Sequence, residues 1–237
     1  MKRLGPLILV ALSLALPSFA VPSPKCEIDL GSENLSLNAP IKGTENLDAA
    51  FALLEHLEIS QGIARAGQDK LKSGKLKIEL LTSKATSSPV PEPAGLFEAG
   101  KEESKIELRS SELGLLAVHL YHELVHAADL DFEKSAMSLL EQRKAHDALG
   151  KFVNFPSLEW VTWEEESSRI QKDRQLMVFK AERLAFNGQR ALLLELMKQT
   201  PCASGFYRFH ERQKHIIVAE VPDTTLRSLY NLYRLPN

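Results

Sequence analysis

The most informative segment of the chain reads Gly114-Leu-Leu-Ala-Val-His-Leu-Tyr-His-Glu-Leu-Val-His-Ala-Ala-Asp129. It has the composition of a buried amphipathic helix, and His122, Glu123 and His126 form an HExxH pattern within it. Histidines four residues apart project from one helix face and can bind a single Zn²⁺, while the adjacent glutamate is placed to deprotonate a metal-bound water. We therefore expect the chemistry of this protein to lie on this helix.

Two alternatives to this interpretation stay open. The histidines of the helix could be buried core residues beside a solvated Glu123. His119, three residues before His122, could also pair with it on the same helix face. The position of Glu123 favours the pair formed by His122 and His126.

The helix resembles the active-site helix of the zincin metallopeptidases. The residues after His126 read Ala-Ala-Asp-Leu-Asp-Phe, so the glycine and third histidine of the metzincin pattern HExxHxxGxxH are absent. The chain is therefore similar to the gluzincin branch, in which a glutamate on a later helix is the third ligand. The resemblance implies a zincin-like α+β fold, with a small mixed sheet, the HExxH helix and a mainly helical C-terminal part.

Glu182 is the residue that best fits the third-ligand role. It lies within an apolar stripe of helical spacing, and a carboxylate directed into such a face is costly unless it is paired or binds a metal. The alternative role of Glu182 is an ion pair with Lys180, Arg183 or another arginine. Glu166 is the alternative ligand, although its charged surroundings are typical of a solvated face. The stripe consists of Val178, Ala181, Ala185, Phe186, Leu192, Leu193 and Leu196.

Asp129 follows His126 by three residues and stays on roughly the same helix face. It could orient a ligand imidazole through the second ring nitrogen, as metal-bound histidines usually require. The alternative role is to cap a helix end or a loop.

The N-terminus predicts export. Met1-Lys-Arg3 is basic, residues 7–16 are apolar, and Ser18-Phe-Ala20 has the pattern of a cleavage site, so residues 1–20 are expected to be a secretory signal peptide. Its apolar stretch is short for a bilayer, and no other segment approaches transmembrane length. We expect residues 21–237 to form one secreted or periplasmic domain, which begins with an extended segment over residues 21–42.

Charge and cysteine content bound the partners and the compartment. Removing residues 1–20 takes away Lys2 and Arg3, which leaves 27 basic against 31 acidic side chains and a net charge near −4. This balance gives no indication of nucleic-acid binding. The two cysteines, Cys26 and Cys202, are expected to form a disulfide in an oxidising compartment, and two free thiols are the alternative.

Hydrophobic periodicity predicts the remaining elements. By the zincin resemblance, the strand over residues 105–109 is expected to be an edge strand that binds extended substrate by β-augmentation. The other predicted strands cover residues 76–81, 95–98 and 216–219. The other predicted helices cover residues 46–72, 132–149, 158–199 and 224–233, and a break near Gly188 is expected in the third of these.

The resemblance implies an exported zinc peptidase that acts on a peptide or protein substrate. One Zn²⁺ per chain would be bound by His122, His126 and Glu182, and Glu123 would be the general base of a metal-assisted hydrolysis. Two other classes stay open: a catalytically silent zincin-like zinc-binding or interaction protein of the cell envelope, and a metal-free helical protein. Metal content and turnover of an unstructured protein separate the three.

Overall fold

The computed structural model describes residues 26–31, 33–81, 94–153, 158–208 and 211. The fold is mixed α+β, with two small sheets and mostly helical content. The predicted signal peptide (residues 1–20), the predicted strand over residues 216–219 and the predicted helix over residues 224–233 lie outside the described residues.

Five helices account for most of the described chain. Their bounds are α1 Glu45–His56, α2 Glu58–Lys72, α3 Leu113–Ala128, α4 Leu130–Gly150 and α5 Leu158–Gln199, and a 3₁₀ turn, Pro201–Ala203, follows α5. The predicted break near Gly188 is wrong, because α5 continues through it. Gly188 instead permits close packing on α3: a Cβ at this position would lie 3.0 Å from Cε1 of Tyr121.

The strands form two separate sheets. β1 (Glu27–Asp29) and β2 (Asn34–Ser36) form an antiparallel pair, and β3 (Leu76–Leu80), β4 (Gly95–Glu98) and β5 (Ser104–Leu108) form a sheet of order β3-β5-β4. β5 is parallel to β3 and antiparallel to β4. The prediction of an edge strand over residues 105–109 is therefore wrong, since β5 is hydrogen-bonded on both sides and has no free edge for another strand. Among the described residues, β4 is an edge strand of this sheet.

Helix α3 lies at the centre of the molecule. It packs against α1, α2, α5, β4 and β5, and all its residues except Leu115 and Ala128 are buried. Leu116, Leu120 and Leu124 are almost fully buried at helical spacing and anchor it in the core. The two histidines and the glutamate of the HExxH pattern are thus held on a rigid, buried element.

The N-terminal segment holds the start of α3. The backbone N–H groups of Leu113 and Gly114 donate to the carbonyls of Ala39 and Leu37 at 2.9 and 2.8 Å. The first turn of a helix leaves its N–H groups without intrahelical acceptors, so these bonds satisfy two of them.

The predicted disulfide between Cys26 and Cys202 is present. It joins the start of β1 to the 3₁₀ turn after α5, with a Cα–Cα distance of 5.5 Å. A disulfide is compatible with an extracellular protein, because such bonds persist in oxidising compartments. Within the described ranges, none of the helices combines the length and apolar character that crossing a membrane requires.

Candidate metal centre

Two helices bring three potential metal ligands together. His122 and His126 lie one turn apart on α3, and their Nε2 atoms are 3.2 Å apart. The Glu182 carboxylate, from α5, lies 3.1 Å from His122 Nε2 through Oε2 and 3.5 Å from His126 Nε2 through Oε1. These three residues could hold one metal ion.

The spacing of these atoms fits a tetrahedral ion. Zinc bonded to nitrogen and oxygen at 2.0 to 2.1 Å holds neighbouring ligand atoms about 3.3 Å apart. The separations in the group, 3.1 to 3.5 Å, bracket that value. Two imidazoles and one carboxylate also match the donor set of catalytic zinc sites, which keep a fourth position open.

The ligand group is largely buried, so the charges of its members strongly affect one another's pKa values. His122 and His126 are 7% and 4% exposed, and the Glu182 side chain is 27% exposed. Burial alone would raise the pKa of Glu182, but hydrogen bonds and charge from both imidazoles outweigh burial and hold that pKa well below its usual range. Burial likewise opposes the charged form of His122, but contact with Glu182 raises its pKa overall. The Glu182 carboxylate therefore favours positive charge at the imidazoles that it contacts.

Gln189 orients one of the two imidazoles. It lies on α5, seven residues after Glu182, and its Oε1 is 3.1 Å from Nδ1 of His122. A proton on Nδ1 would donate to this oxygen and leave Nε2 free to bind a metal. The sequence carried a signal for this residue that was missed: a glutamine on the apolar stripe of α5, two turns after Glu182.

Asp129 does not have the predicted orienting role. Helix α3 ends at Ala128, and Asp129 Oδ1 instead accepts the backbone N–H groups of Asp131 and Phe132, which makes Asp129 the N-cap of α4. Nδ1 of His126 has no hydrogen-bond partner in the part of the chain that the structure describes. The capping alternative is the one observed.

Two other candidate residues lie apart from the group. Nδ1 of His119 is 2.8 Å from the Ser110 hydroxyl, and burial lowers the pKa of His119 to about 3. Glu166, the alternative ligand, accepts two hydrogen bonds from the exposed side chain of Arg169. Neither residue belongs to the group of three ligands.

Aromatic rings surround the imidazoles. Phe186 meets the His122 ring edge to face, with centroids 4.6 Å apart. Phe132 and Phe97 lie beside the His126 ring, with centroids 5.4 and 6.4 Å from it. An apolar shell of this kind limits access of water and fixes the ring orientations.

Glu123 is not part of the ligand group but lies next to it. Its side chain packs so closely on the backbone of Gly95, in β4, that a Cβ at position 95 would collide with the Glu123 carboxylate. Glu123 is 6% exposed, and burial raises its pKa, an effect that the charges of His122 and His126 oppose. The glycine therefore gives this carboxylate its place beside the edge strand.

A cleft of about 670 Å³ leads to this group. Glu123, His126 and Glu182 lie in its wall, together with residues of β4, α4 and α5. The wall is mainly apolar, and most of the described polar groups are these three side chains and the arginines of α4 and α5. The arrangement brings metal ligands, a carboxylate and a strand edge to one opening.

The chain matches no protein family model, no curated protein and no solved structure.

Proposed function

We propose that this protein is a zinc-dependent peptidase with a zincin-like fold of the gluzincin type. The observation that carries the proposal is the spacing of 3.1 to 3.5 Å among the imidazoles of His122 and His126 and the carboxylate of Glu182, with Glu123 beside them in the same cleft. The HExxH pattern supports the same function.

Zinc is the metal that this donor set favours. Structural zinc sites usually use four protein ligands, whereas a set of three leaves a position for water or substrate. Bound there, zinc would supply a Lewis acid that lowers the pKa of water and polarises a carbonyl group.

Glu123 would move the proton in the reaction. In peptide hydrolysis, water adds to the carbonyl carbon, the C–N bond breaks, and the nitrogen leaves as an amine that needs a proton. The Glu123 carboxylate would accept a proton from the attacking water and deliver it to that nitrogen. A structural metal site has no need of such a group, so Glu123 supports catalysis over simple metal binding.

β4 would bind the substrate backbone. It is an edge strand, and its first residue, Gly95, contacts Glu123. An extended peptide can pair with such an edge through main-chain hydrogen bonds. This assigns to β4 the role that the sequence had predicted for β5.

The test is turnover of a denatured, casein-like protein by the purified mature chain. Hydrolysis should stop on treatment with a zinc chelator and return when zinc is added. Zinc binding without turnover would instead support the catalytically silent zinc-binding or interaction protein, and a chain that binds no metal would contradict both.

Export is part of the proposal. The predicted signal peptide and the Cys26–Cys202 disulfide support a secreted or periplasmic location. The N-terminal residue of the mature protein should be Val21, and no thiol should titrate before reduction. An intact Met1 start would contradict the export assignment.

A further inference from the structure

The end of the cleft away from the metal ligands is cationic. On α5, Glu182, Val178 and Arg174 recur every four residues and all line the cleft. With a rise of 1.5 Å per residue, Arg174 lies about 12 Å along the helix from Glu182. Between them the wall is apolar and includes Met177.

Arg174 is available to a ligand. It is exposed, and no ion-pair partner lies within 4 Å of it among the described residues. The contrast is with Arg169, five residues earlier, which is held by Glu166 and Asp173. An arginine at the wall of an apolar cleft binds a carboxylate by paired, charge-assisted hydrogen bonds.

α4 supplies a second arginine to the same cleft. Phe132, Ala136 and Leu140 line the wall at four-residue spacing, and Arg143 follows them. The Nε atom of Arg143 is 3.7 Å from Asp147 Oδ2, and both side chains are more than half exposed. Such surface pairs are weak, so a ligand carboxylate could replace Asp147 at little cost. Glu98 of β4 also lines the cleft, and its charge opposes acidic ligands near that strand.

We propose that the cleft selects peptides that have an apolar residue and, about four residues from the cleaved bond, a carboxylate. The carboxylate can follow or precede the apolar residue. Four extended residues span about 13 Å, which matches the distance from Glu182 to Arg174. The apolar side chain would pack on Met177, Val178 and Leu140, and the carboxylate would bind Arg174 with Arg143 beside it. The carboxylate can be an acidic side chain or a free C-terminus. This inference rests on the proposed peptidase function.

Three quenched peptides with one alanine- and leucine-rich sequence test this inference. The first carries an internal glutamate about four residues from its central leucine and a C-terminal amide, the second a glutamine and a free C-terminal carboxylate, and the third a glutamine and a C-terminal amide. Relative to the amide peptide, kcat/KM should be about two- to fivefold higher for at least one carboxylate peptide, the gain expected for an exposed ion pair. The carboxylate peptide with the higher kcat/KM shows whether the cleft binds an acidic side chain or a free C-terminus.

Two variants locate the effect. Arg174→Gln should remove most of the preference for the carboxylate peptide over the amide peptide, whereas Arg169→Gln, on the same helix but not in the cleft wall, should leave it unchanged. Raising the salt concentration should also reduce the preference, because exposed ion pairs are screened. Equal kcat/KM for all three peptides, or a preference that survives Arg174→Gln, would overturn the inference.

Binding to the Glu123→Gln variant separates this inference from the proposed function. Fluorescence anisotropy of labelled versions of the three peptides reports the preference without turnover. Tighter binding of a carboxylate peptide, lost on adding Arg174→Gln, supports the cleft assignment even where the wild-type protein hydrolyses nothing, a result that would overturn only the peptidase function. Equal binding of all three would overturn the cleft assignment, even where the wild-type protein hydrolyses all of them.

Discussion

The two halves of α5 carry two glutamates with opposite surroundings. Residues 179–199 pack on α3, and there Glu182 faces two buried imidazoles. Residues 158–178 pack on α4, have Ile170 as their one buried residue in the described part, and carry Glu166, whose side chain is 44% exposed and paired with Arg169. A glutamate is thus a candidate metal ligand in one half of α5 and a surface ion-pair partner in the other.

The difference shows what makes a carboxylate a ligand. An exposed carboxylate beside an arginine is already neutralised and hydrated, so a metal ion gains little by displacing that partner. The partly buried Glu182 carboxylate faces two buried imidazoles and has no lysine or arginine partner among the described residues, so a metal ion would supply compensating charge.

Removing either histidine should abolish stoichiometric zinc binding. His122→Ala or His126→Ala leaves two protein ligands, which is too few for a tight site, so zinc measured by mass spectrometry should fall from about one per chain to nearly none. His146→Ala is the matched control, because His146 is as buried as His122 but lies on α4, away from the ligand group. Its ring stacks on that of Trp163, in residues 158–178 of α5, with centroids 4.6 Å apart. Full zinc occupancy in both ligand variants would end the metal-site account.

Glu123→Gln should separate binding from chemistry. The amide cannot accept the proton, so turnover of the casein-like substrate should fall by about 10² to 10⁴, the usual contribution of a general base, with zinc content unchanged. Glu166→Gln, in the exposed half of α5, should retain full activity. Undiminished turnover in Glu123→Gln would mean that another group takes the proton.

Glu182→Ala and Glu166→Ala test the contrast between the two glutamates. Loss of Glu182 should weaken zinc affinity by at least about 10 to 100-fold, the effect of removing a group that only supports a ligand. Glu166→Ala should leave the affinity nearly unchanged. The measurement is competition against a chelator of known affinity, and equal losses in the two variants would remove the distinction between the two halves.

Gln189→Ala should have the smallest effect, a loss of zinc affinity of about tenfold, because His122 keeps its place but loses its orienting hydrogen bond. Gln189→Glu should restore most of the affinity, since its carboxylate can also accept from Nδ1. Gln189→Met keeps a side chain of similar size without the acceptor, so undiminished affinity in that variant would show that Gln189 acts through packing alone.

The features that could be predicted from the sequence are those that a short-range sequence pattern or the cysteine count encodes. The HExxH spacing and the apolar stripe of α5 pointed to the three residues that the fold brings together. Both signals are periodicities within one helix, so they needed no knowledge of the packing. The Cys26–Cys202 pairing followed because the chain has two cysteines.

The predictions that were wrong concern features that depend on contacts with other segments of the chain. The order β3-β5-β4 inserts β5 between two strands that precede it in the chain, and no local pattern encodes that pairing. Asp129 shares the helical register of His126, but α3 ends one residue earlier and its extended backbone directs the side chain to α4. The break expected at Gly188 failed because that glycine accommodates Tyr121 across the helix contact.

A crystal structure of the zinc-loaded protein, with anomalous diffraction recorded at the zinc absorption edge, would show directly whether His122, His126 and Glu182 bind one metal ion. We expect one strong anomalous peak per chain, about 2.0 to 2.2 Å from Nε2 of His122, Nε2 of His126 and a carboxylate oxygen of Glu182. A peak at other residues, or a peak at the histidines with Glu182 turned away to an arginine, would contradict it.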